Sequence, residues 1–291
     1  MKKCPKCFET DEDTTRYCSV CGAEMFFEYR FGSGSKVKTD TQVKNYHAPY
    51  INENPEQRGI VVFIHGYMGS PRQFDKLSDA VYQQGYTVAG LLLPGHGGSL
   101  KDFSSSTYKQ WQSHVNSEVE KLSKSYKNIW LVGHSMGGLL AINAAVKHSK
   151  FVRGLFLMAC PFKLTFFSVY ATKIRAKQLF GRKNNPIKAA YIDNSGVPRS
   201  FSIIWRTIKP YSQFKKLMHT ANGNLANINS PVTAVYSASD ELVSMKSRDI
   251  LQSKLHKAAL ELVILADSLH AYYPEREQEV IIRNFIDMIT G

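Results

Sequence analysis

The stretch Ile129-Trp130-Leu131-Val132-Gly133-His134-Ser135-Met136-Gly137-Gly138 determines how the rest of the chain is interpreted. Its first four residues are apolar and predict a short buried strand, and a helical pattern begins near residue 137. Between them, Gly133 to Gly137 has the form Gly-x-Ser-x-Gly. Glycines at both ends permit a sharp turn that would raise the Ser135 hydroxyl above a sheet and place the Met136 N–H at a helix N-terminus. The string alone is common by chance. Its position between a predicted strand and a predicted helix is what favours a catalytic serine.

Apolar runs alternate with amphipathic stretches along most of the chain. Buried strands are predicted at 59–64, 87–93, 129–132, 151–159, 232–236 and 260–265, and helices at about 70–84, 107–125 and 275–289. Strands and helices that alternate in this way are typical of an α/β fold, with a mostly parallel sheet and helices on both faces. Residues from about 161 to 228 interrupt the alternation and predict an inserted, mostly helical segment.

The composition excludes several classes of protein. The chain has 291 residues, of which 43% are hydrophobic and 21% charged, so it can bury a sizeable core and is not a disordered or low-complexity protein. No apolar run approaches the ~18 residues that a membrane-spanning helix needs. The first residues, Met1-Lys2-Lys3-Cys4-Pro5, lack the apolar segment of a secretory signal. We therefore expect a soluble, cytoplasmic globular protein.

Three motifs together resemble the α/β-hydrolase superfamily, over the chain from about residue 45 to its end. They are His-Gly-Tyr-Met-Gly-Ser at 65–70, Leu-Pro-Gly-His-Gly at 93–97 and Gly-His-Ser-Met-Gly-Gly at 133–138, and they are similar to the carboxylesterase and monoacylglycerol lipase branch. The resemblance implies an α/β-hydrolase fold with a helical cap at about 161–228. In that family the residues after the first His-Gly and after the serine donate the oxyanion N–H groups, which implies Tyr67 and Met136 here.

The fold's chain order of serine, acid and histidine suggests the partners of Ser135. Of the nine histidines, His270 is the one that follows a predicted strand through a short polar loop, at 266–269. Asp240 follows the strand at 232–236 in the string Ser-Ala-Ser-Asp-Glu-Leu-Val, which resembles the family's acid loop. Asp267 is the alternative acid, and Glu241 is expected to point elsewhere.

These residues together predict a serine esterase or lipase that cleaves carboxylic acyl esters through an acyl-enzyme. His270 would remove the Ser135 proton, Asp240 would hold the imidazole tautomer, and no cofactor is needed for this chemistry. Monoacylglycerols and lysophospholipids are candidate substrates. Two alternatives stay open: an acyl-thioester hydrolase, and a non-catalytic scaffold that joins a metal module to a hydrolase fold.

Four of the five cysteines lie near the start of the chain, as two Cys-x-x-Cys pairs separated by ten residues. Each pair can present two thiolates from a tight turn, and two pairs complete a tetrahedral site for one structural zinc ion. Residues 1–25 thus resemble a zinc ribbon, followed by a linker and leading strand at 26–44 and the hydrolase domain at 45–291. Two disulfides are the rival interpretation, which the lack of a secretory signal disfavours. The four predicted zinc ligands are Cys4, Cys7, Cys18 and Cys21.

The positive charge of the chain is concentrated in the predicted cap. Residues 161–228 hold twelve Lys or Arg and one acidic residue, Asp193, so they carry +11 of the net charge of +13. Ten aromatic residues are interleaved with these charges, a pattern that suits an ordinary cap, contact with an anionic membrane surface or an anionic substrate, or, least of these, contact with nucleic acid. Binding to anionic vesicles that weakens with salt would identify the second case. Nucleic acid is disfavoured as a partner of the ribbon, because residues 1–25 carry a net charge of −1.

Overall fold

A computed structural model of the protein describes residues 47–165, 185–196 and 203–291, together with Ile174 and two short strands near the start of the chain. The chain divides into two compact units, Met1–Lys38 and Thr39–Gly291. In the first unit, β1 (Lys2–Lys3) pairs antiparallel with β2 (Thr10–Asp11). The four N-terminal cysteines and the predicted linker at 26–44 lie outside the described residues.

The second unit is built on a seven-stranded sheet. Its strands are β3 (Tyr50–Asn52), β4 (Ile60–Ile64), β5 (Thr87–Leu91), β6 (Ile129–His134), β7 (Val152–Met158), β8 (Val232–Ser237) and β9 (Leu260–Leu265). Their order across the sheet is β3-β5-β4-β6-β7-β8-β9, in which β3 is antiparallel to β5 and all other neighbours are parallel. The prediction of a mostly parallel sheet is therefore confirmed, and the sequence analysis missed β3, which has only three residues.

Eight described helices connect and cover the strands. They are α1 (Asp75–Tyr82), α2 (Leu100–Ser105), α3 (Tyr108–Leu122), α4 (Met136–Lys147), α5 (Pro186–Asp193), α6 (Ile203–Asn224), α7 (Lys246–Lys254) and α8 (Glu275–Thr290). Short 3₁₀ turns at Pro71–Phe74 and Leu225–Asn227 precede α1 and follow α6. Helices α5 and α6 lie within the predicted insertion. Among the described helices, none is long and apolar enough to cross a membrane.

Strand β4 shows how the two layers of core form. Its five residues are all buried, and successive side chains point to opposite faces of the sheet. Val62 and its even-numbered neighbours belong to a cluster with residues of α3, α4 and α6, including Trp111 and Phe214. Val61 and Phe63 belong to a second cluster with residues of α1 and α8. Because both faces are covered by helices, the strand is apolar throughout rather than alternating in polarity.

The turn between β6 and α4 is tightly packed against the sheet. Ser135 has φ 53° and ψ −119°, a backbone conformation that non-glycine residues rarely adopt. A Cβ atom added to Gly137 would lie 1.9 Å from the carbonyl oxygen of Ile64, and one added to Gly133 would lie 2.5 Å from that of Gly137. A Cβ atom on Gly138 would lie 2.9 Å from the Cys160 sulfur. Gly137 is therefore required because α4 approaches β4 at backbone distance, and Gly133 because the end of β6 approaches the first turn of α4 as closely.

We expect the substitution Gly137→Ala to lower the free energy of unfolding by about 1–3 kcal/mol or more. A methyl group there overlaps backbone that cannot move aside without disturbing β4. Gly223→Ala is the matched control, because a Cβ atom at Gly223 meets nothing within 4 Å in helix α6. Urea unfolding of both variants measures the difference. Equal stability of the two variants would contradict this account of the turn.

Candidate active site

Ser135 occupies the turn at the end of β6, directly before helix α4. Its backbone N–H donates to the carbonyl oxygen of Met158 at 2.8 Å, which ties the turn to the end of β7. The side chain is buried, and its Oγ lies 3.0 Å from Nε2 of His270. The backbone of Ser135 is thus tied to two neighbouring strands, and its hydroxyl contacts one imidazole nitrogen.

The structure brings Ser135, His270 and Asp240 together in one chain of hydrogen bonds. His270 follows β9, and its Nδ1 lies 2.9 Å from Oδ2 of Asp240, which follows β8. The other oxygen of Asp240, Oδ1, accepts hydrogen bonds from the backbone N–H groups of Leu242 and Val243, both at 2.8 Å. With both its oxygens engaged, the Asp240 carboxylate is fixed in the orientation that faces the imidazole.

The alternative acid, Asp267, lies in the same loop as His270 but is arranged differently. It is exposed, and its backbone N–H donates to Oε1 of Glu277 at 3.0 Å. The contact with the imidazole is instead made by Asp240, which is the acid that the sequence analysis favoured.

The electrostatics of the buried pair favour an ionised aspartate and a basic imidazole. Burial alone would raise the pKa of Asp240, but the charge and hydrogen bond of His270 and the two backbone N–H groups hold it below its usual value. Burial alone would lower the pKa of His270, but the charge and hydrogen bond of Asp240, with the charge of Glu241, raise it above its usual 6.5. The ion pair with Asp240 therefore makes the His270 imidazole a stronger base.

The loop that carries Tyr67 passes directly beside Ser135. A Cβ atom on Gly66 would lie 3.2 Å from the Cβ of Ser135, so the backbone before Tyr67 contacts the serine turn. The loop is held by Met68, whose N–H donates to Nε2 of His96 at 3.2 Å. Burial lowers the pKa of His96 to about 4, which keeps this acceptor nitrogen unprotonated at neutral pH.

The second predicted oxyanion donor, Met136, is the first residue of helix α4. The first N–H groups of a helix have no acceptor within it, so this N–H is available above the serine turn. It also lies at the positive end of the helix dipole, where a developing negative charge is stabilised. Tyr67 and Met136 thus belong to two backbone segments that flank Ser135.

A cavity of about 520 Å³ opens onto Ser135 and His270. Its walls are largely apolar and come from the loops after β4 and β8 and from the described part of the cap. Among the described lining residues there is no Asp, Glu, Lys or Arg. The apolar side chains in its wall include Met68, Leu164, Tyr211, Phe214, Leu242 and Val243.

Two buried carboxylates near His270 were not assigned a role from the sequence. The Oε2 atom of Glu241 accepts the backbone N–H of His270 at 3.0 Å, and its Oε1 accepts the hydroxyl of Tyr191. Glu277, in the first turn of α8, accepts the N–H groups of Ala266 and Ser268 at 2.8 Å. Neither role has a local signal, because each depends on residues distant in the chain.

His134 also contacts His270. Its Nε2 lies 2.8 Å from the carbonyl oxygen of His270, and the two rings lie 4.9 Å apart between centroids. Burial and the nearby His270 lower the pKa of His134 to about 3, so it is neutral and donates one N–H to this carbonyl. His134, which precedes Ser135, therefore holds the backbone of His270.

No group of three or more His, Cys, Asp or Glu is arranged to hold a metal ion within the described part of the chain. The four cysteines predicted to bind zinc fall outside that part.

The fold and this site define an α/β-hydrolase with a buried serine–histidine–aspartate constellation. The sequence profile described as "Serine aminopeptidase, S33" matches residues 55–277, and the chain belongs to this family. It is a serine hydrolase of the lipase and esterase type.

Several characterised proteins are similar to this chain. A thermostable monoacylglycerol lipase of Bacillus sp. (strain H-257) is 25% identical over 236 residues, which are 79% of this chain and 90% of the relative. A structure from a study of two metagenome-derived lipolytic enzymes, LipS and LipT, superposes with a TM-score of 0.67 at 21% identity, covering 84% of this chain and 97% of that one. The monoacylglycerol lipase of Paleococcus ferrophilus gives a TM-score of 0.63 at 18% identity, covering 84% and 98%. The two structures support the fold.

We expect the His270 imidazole to titrate above 6.5, and its pKa to fall in the variant Asp240→Asn, which removes the largest influence that raises it. NMR titration of the imidazole resonances measures both values. The control is Asp267→Asn, which changes an exposed carboxylate of the same loop and should leave the titration as in the wild type. A His270 pKa that is unaffected by Asp240→Asn would show that the two side chains are not paired in solution.

Proposed function

We propose that this carboxylic ester hydrolase cleaves neutral acyl esters of the monoacylglycerol type, with Ser135 as nucleophile, His270 as general base and Asp240 as the residue that orients His270. The observation that carries the proposal is the continuous hydrogen-bonded chain from Ser135 to Asp240 beneath an apolar cavity. The lowered pKa of Asp240 favours its ionised form, and the raised pKa of His270 makes its neutral imidazole a stronger base.

The reaction would proceed through an acyl-enzyme. Ser135 Oγ attacks the acyl carbonyl carbon while Nε2 of His270 takes its proton, and Asp240 stabilises the resulting imidazolium. The backbone N–H groups of Tyr67 and Met136 stabilise the oxyanion, and each such donor contributes about 3 kcal/mol to the transition state. His270 then protonates the leaving alcohol, and a water molecule releases the acid by the same steps in reverse order.

The walls of the cavity favour an ester over a peptide with a free amino terminus. An aminopeptidase must hold a positively charged ammonium group, and burying that charge without a carboxylate partner is costly. The described lining residues include no Asp or Glu. The single acidic residue of the segment 161–228, Asp193, is exposed, while the Asp240 and Glu241 carboxylates contact His270 and Tyr191.

The same lining favours a neutral substrate over a charged one. The described walls contain no Lys or Arg, so they offer no counter-ion for the phosphates of a lysophospholipid or an acyl-CoA. A monoacylglycerol has an apolar chain and an uncharged head group, which match an apolar cavity with a few hydroxyl and amide groups. The similarity over 79% of the chain to a monoacylglycerol lipase of Bacillus supports this substrate class.

Hydrolysis of p-nitrophenyl esters of increasing acyl length tests the proposal. We expect turnover that depends on chain length and that falls by up to ~10⁶ in Ser135→Ala, because the nucleophile is lost. The matched control is Ser230→Ala, which removes another buried hydroxyl, bonded to the Val152 carbonyl away from the cavity. Monoacylglycerol, lysophospholipid, acyl-CoA and aminoacyl p-nitroanilide substrates would then be compared. Preference for any of the last three over monoacylglycerol would contradict the proposed substrate class.

We also propose that Cys4, Cys7, Cys18 and Cys21 bind one structural zinc ion. Two Cys-x-x-Cys pairs supply four soft thiolate ligands, the donor set of a closed tetrahedral site. The first pair falls in the six residues that connect the antiparallel strands β1 and β2. A unit of this length, Met1–Lys38, has little surface to bury, so metal binding would supply much of its folding free energy.

Metal analysis of the purified protein tests the zinc proposal. We expect about one zinc per chain, lost in Cys4→Ser because three thiolates no longer close the site. Cys160→Ser is the control, since Cys160 is fully buried in the hydrolase unit and should not change the metal content. Two disulfides among the N-terminal cysteines, detected by mass spectrometry without reductant, would contradict the proposal.

Contact of the cap with an anionic membrane surface stays a prediction. The described cap helices carry two exposed apolar side chains, Ile192 on α5 and Ile208 on α6. Lys209, Lys215 and Lys216 of α6 add positive charge to the same insertion. Exposed apolar side chains among basic residues are typical of surfaces that bind anionic lipid.

A further inference from the structure

Residues 191–196 of the cap, which we call the strap, contact both loops that carry the catalytic machinery. At one end, the strap meets the loop of His270, and at the other end it meets the loop of Tyr67. From these contacts we propose that the strap is a positioning element, which holds the histidine loop and the oxyanion loop in their active arrangement. The proposal rests on the function proposed above for Ser135, His270 and Tyr67.

The contact with the histidine loop is made by Tyr191. Its hydroxyl donates to Oε1 of Glu241, and it accepts the backbone N–H of Ala271 at 3.3 Å. The other oxygen of Glu241 accepts the backbone N–H of His270 at 3.0 Å. Tyr191 is therefore linked to the N–H groups of two consecutive residues. It contacts the N–H of Ala271 directly and reaches the N–H of His270 through the Glu241 carboxylate.

Burial and charge make the link between Tyr191 and Glu241 strong. Glu241 is 1% exposed, so its carboxylate depends on these donors in place of water. Burial, followed by the neighbouring Glu241 and Asp240 charges, raises the pKa of Tyr191 above its usual 10, so the phenol keeps its proton and remains a donor. Loss of this hydroxyl would leave a buried carboxylate oxygen without that partner.

The contact with the oxyanion loop is made by Gly196. Its N–H donates to the carbonyl oxygen of Met68 at 2.9 Å, next to the predicted oxyanion donor Tyr67. Its own carbonyl accepts the N–H of Gly97 at 2.6 Å. A Cβ atom on Gly196 would lie 2.2 Å from the carbonyl oxygen of Gly69, so the strap and this loop are in backbone contact.

A second cap element reaches the same loop. The hydroxyl of Tyr67 donates to the carbonyl oxygen of Thr207 in helix α6 at 3.0 Å, and its ring packs against Phe214 of that helix. The cap therefore does more than roof the cavity. It supplies hydrogen bonds to the backbone or side chains of both loops, and neither loop would keep all its partners if the strap were displaced.

The first test compares Tyr191→Phe with Tyr86→Phe. Both remove a hydroxyl that is engaged in a hydrogen bond, but Tyr86 donates to the carbonyl oxygen of Ile289, away from the cavity. If the strap positions the loops, Tyr191→Phe lowers kcat for p-nitrophenyl butyrate about tenfold with KM changed less than about twofold, while Tyr86→Phe leaves both unchanged. Equal kcat values in the two variants, or a loss confined to KM, would overturn the proposal, since the strap would then only shape the cavity.

The second test separates the strap from the oxyanion loop. Gly196→Ala introduces a methyl group against Gly69, whereas Gly223→Ala introduces one into open space on helix α6. We expect kcat to fall in the first variant and not in the second, with the urea unfolding midpoints showing that both are folded. A folded Gly196→Ala variant with wild-type kcat would overturn the proposal at this end of the strap.

The rate of labelling by a fluorophosphonate, which phosphonylates an activated serine with loss of fluoride, gives a readout that does not depend on the ester chosen. If the wild type is not labelled, or if labelling persists in Ser135→Ala, the proposed function fails, and this proposal fails with it. Labelling that requires Ser135 but proceeds equally in Tyr191→Phe and Tyr86→Phe would mean that only the strap proposal fails.

Discussion

The backbone contact between helix α4 and strand β4 is the constraint on which the site depends. Gly137 faces the Ile64 carbonyl oxygen so closely that no side chain fits, and Gly133 and Gly138 are packed almost as tightly. This packing holds Ser135 at φ 53°, a conformation that a free chain would seldom adopt. The free energy that offsets the strain comes from the fully buried strands and helices around it. The serine is consequently set by the core of the sheet, and the loops need only to be placed against it.

Three buried or partly buried carboxylates then place the histidine. Asp240 contacts its imidazole, Glu241 accepts its backbone N–H, and Glu277 accepts three N–H groups of the loop that precedes His270. Burial by itself would raise the pKa of Glu277, but the hydroxyl of Ser268 and the backbone N–H groups hold it below its usual value. Each negative charge is thus neutralised by several fixed dipoles, which gives the loop one low-energy arrangement despite its lack of secondary structure.

The sequence was sufficient for features that are encoded locally. The apolar runs located six strands and the glycines around Ser135 located the turn. The small residues before Asp240 favoured it over Asp267, and Asp240 is the residue that contacts the His270 imidazole. Strand β3 was missed because three residues of intermediate or exposed burial carry too little periodicity. The contribution of Glu241 was missed for a different reason, because its partners Tyr191 and His270 lie 50 and 29 residues away. Roles that depend on such distant contacts appear only when the chain is folded.

The packing of Cys160 against Gly138 has a consequence for redox chemistry. This thiol is fully buried, and burial raises its pKa well above the usual value, so the reactive thiolate form is strongly disfavoured. The hydrolase unit, Thr39–Gly291, contains no other cysteine. The hydrolase unit is therefore insulated from reagents that act on cysteine while it remains folded. Any loss of ester hydrolysis that such reagents cause by modifying cysteine would originate at the N-terminal thiols, and would reveal a communication between the two units of the chain.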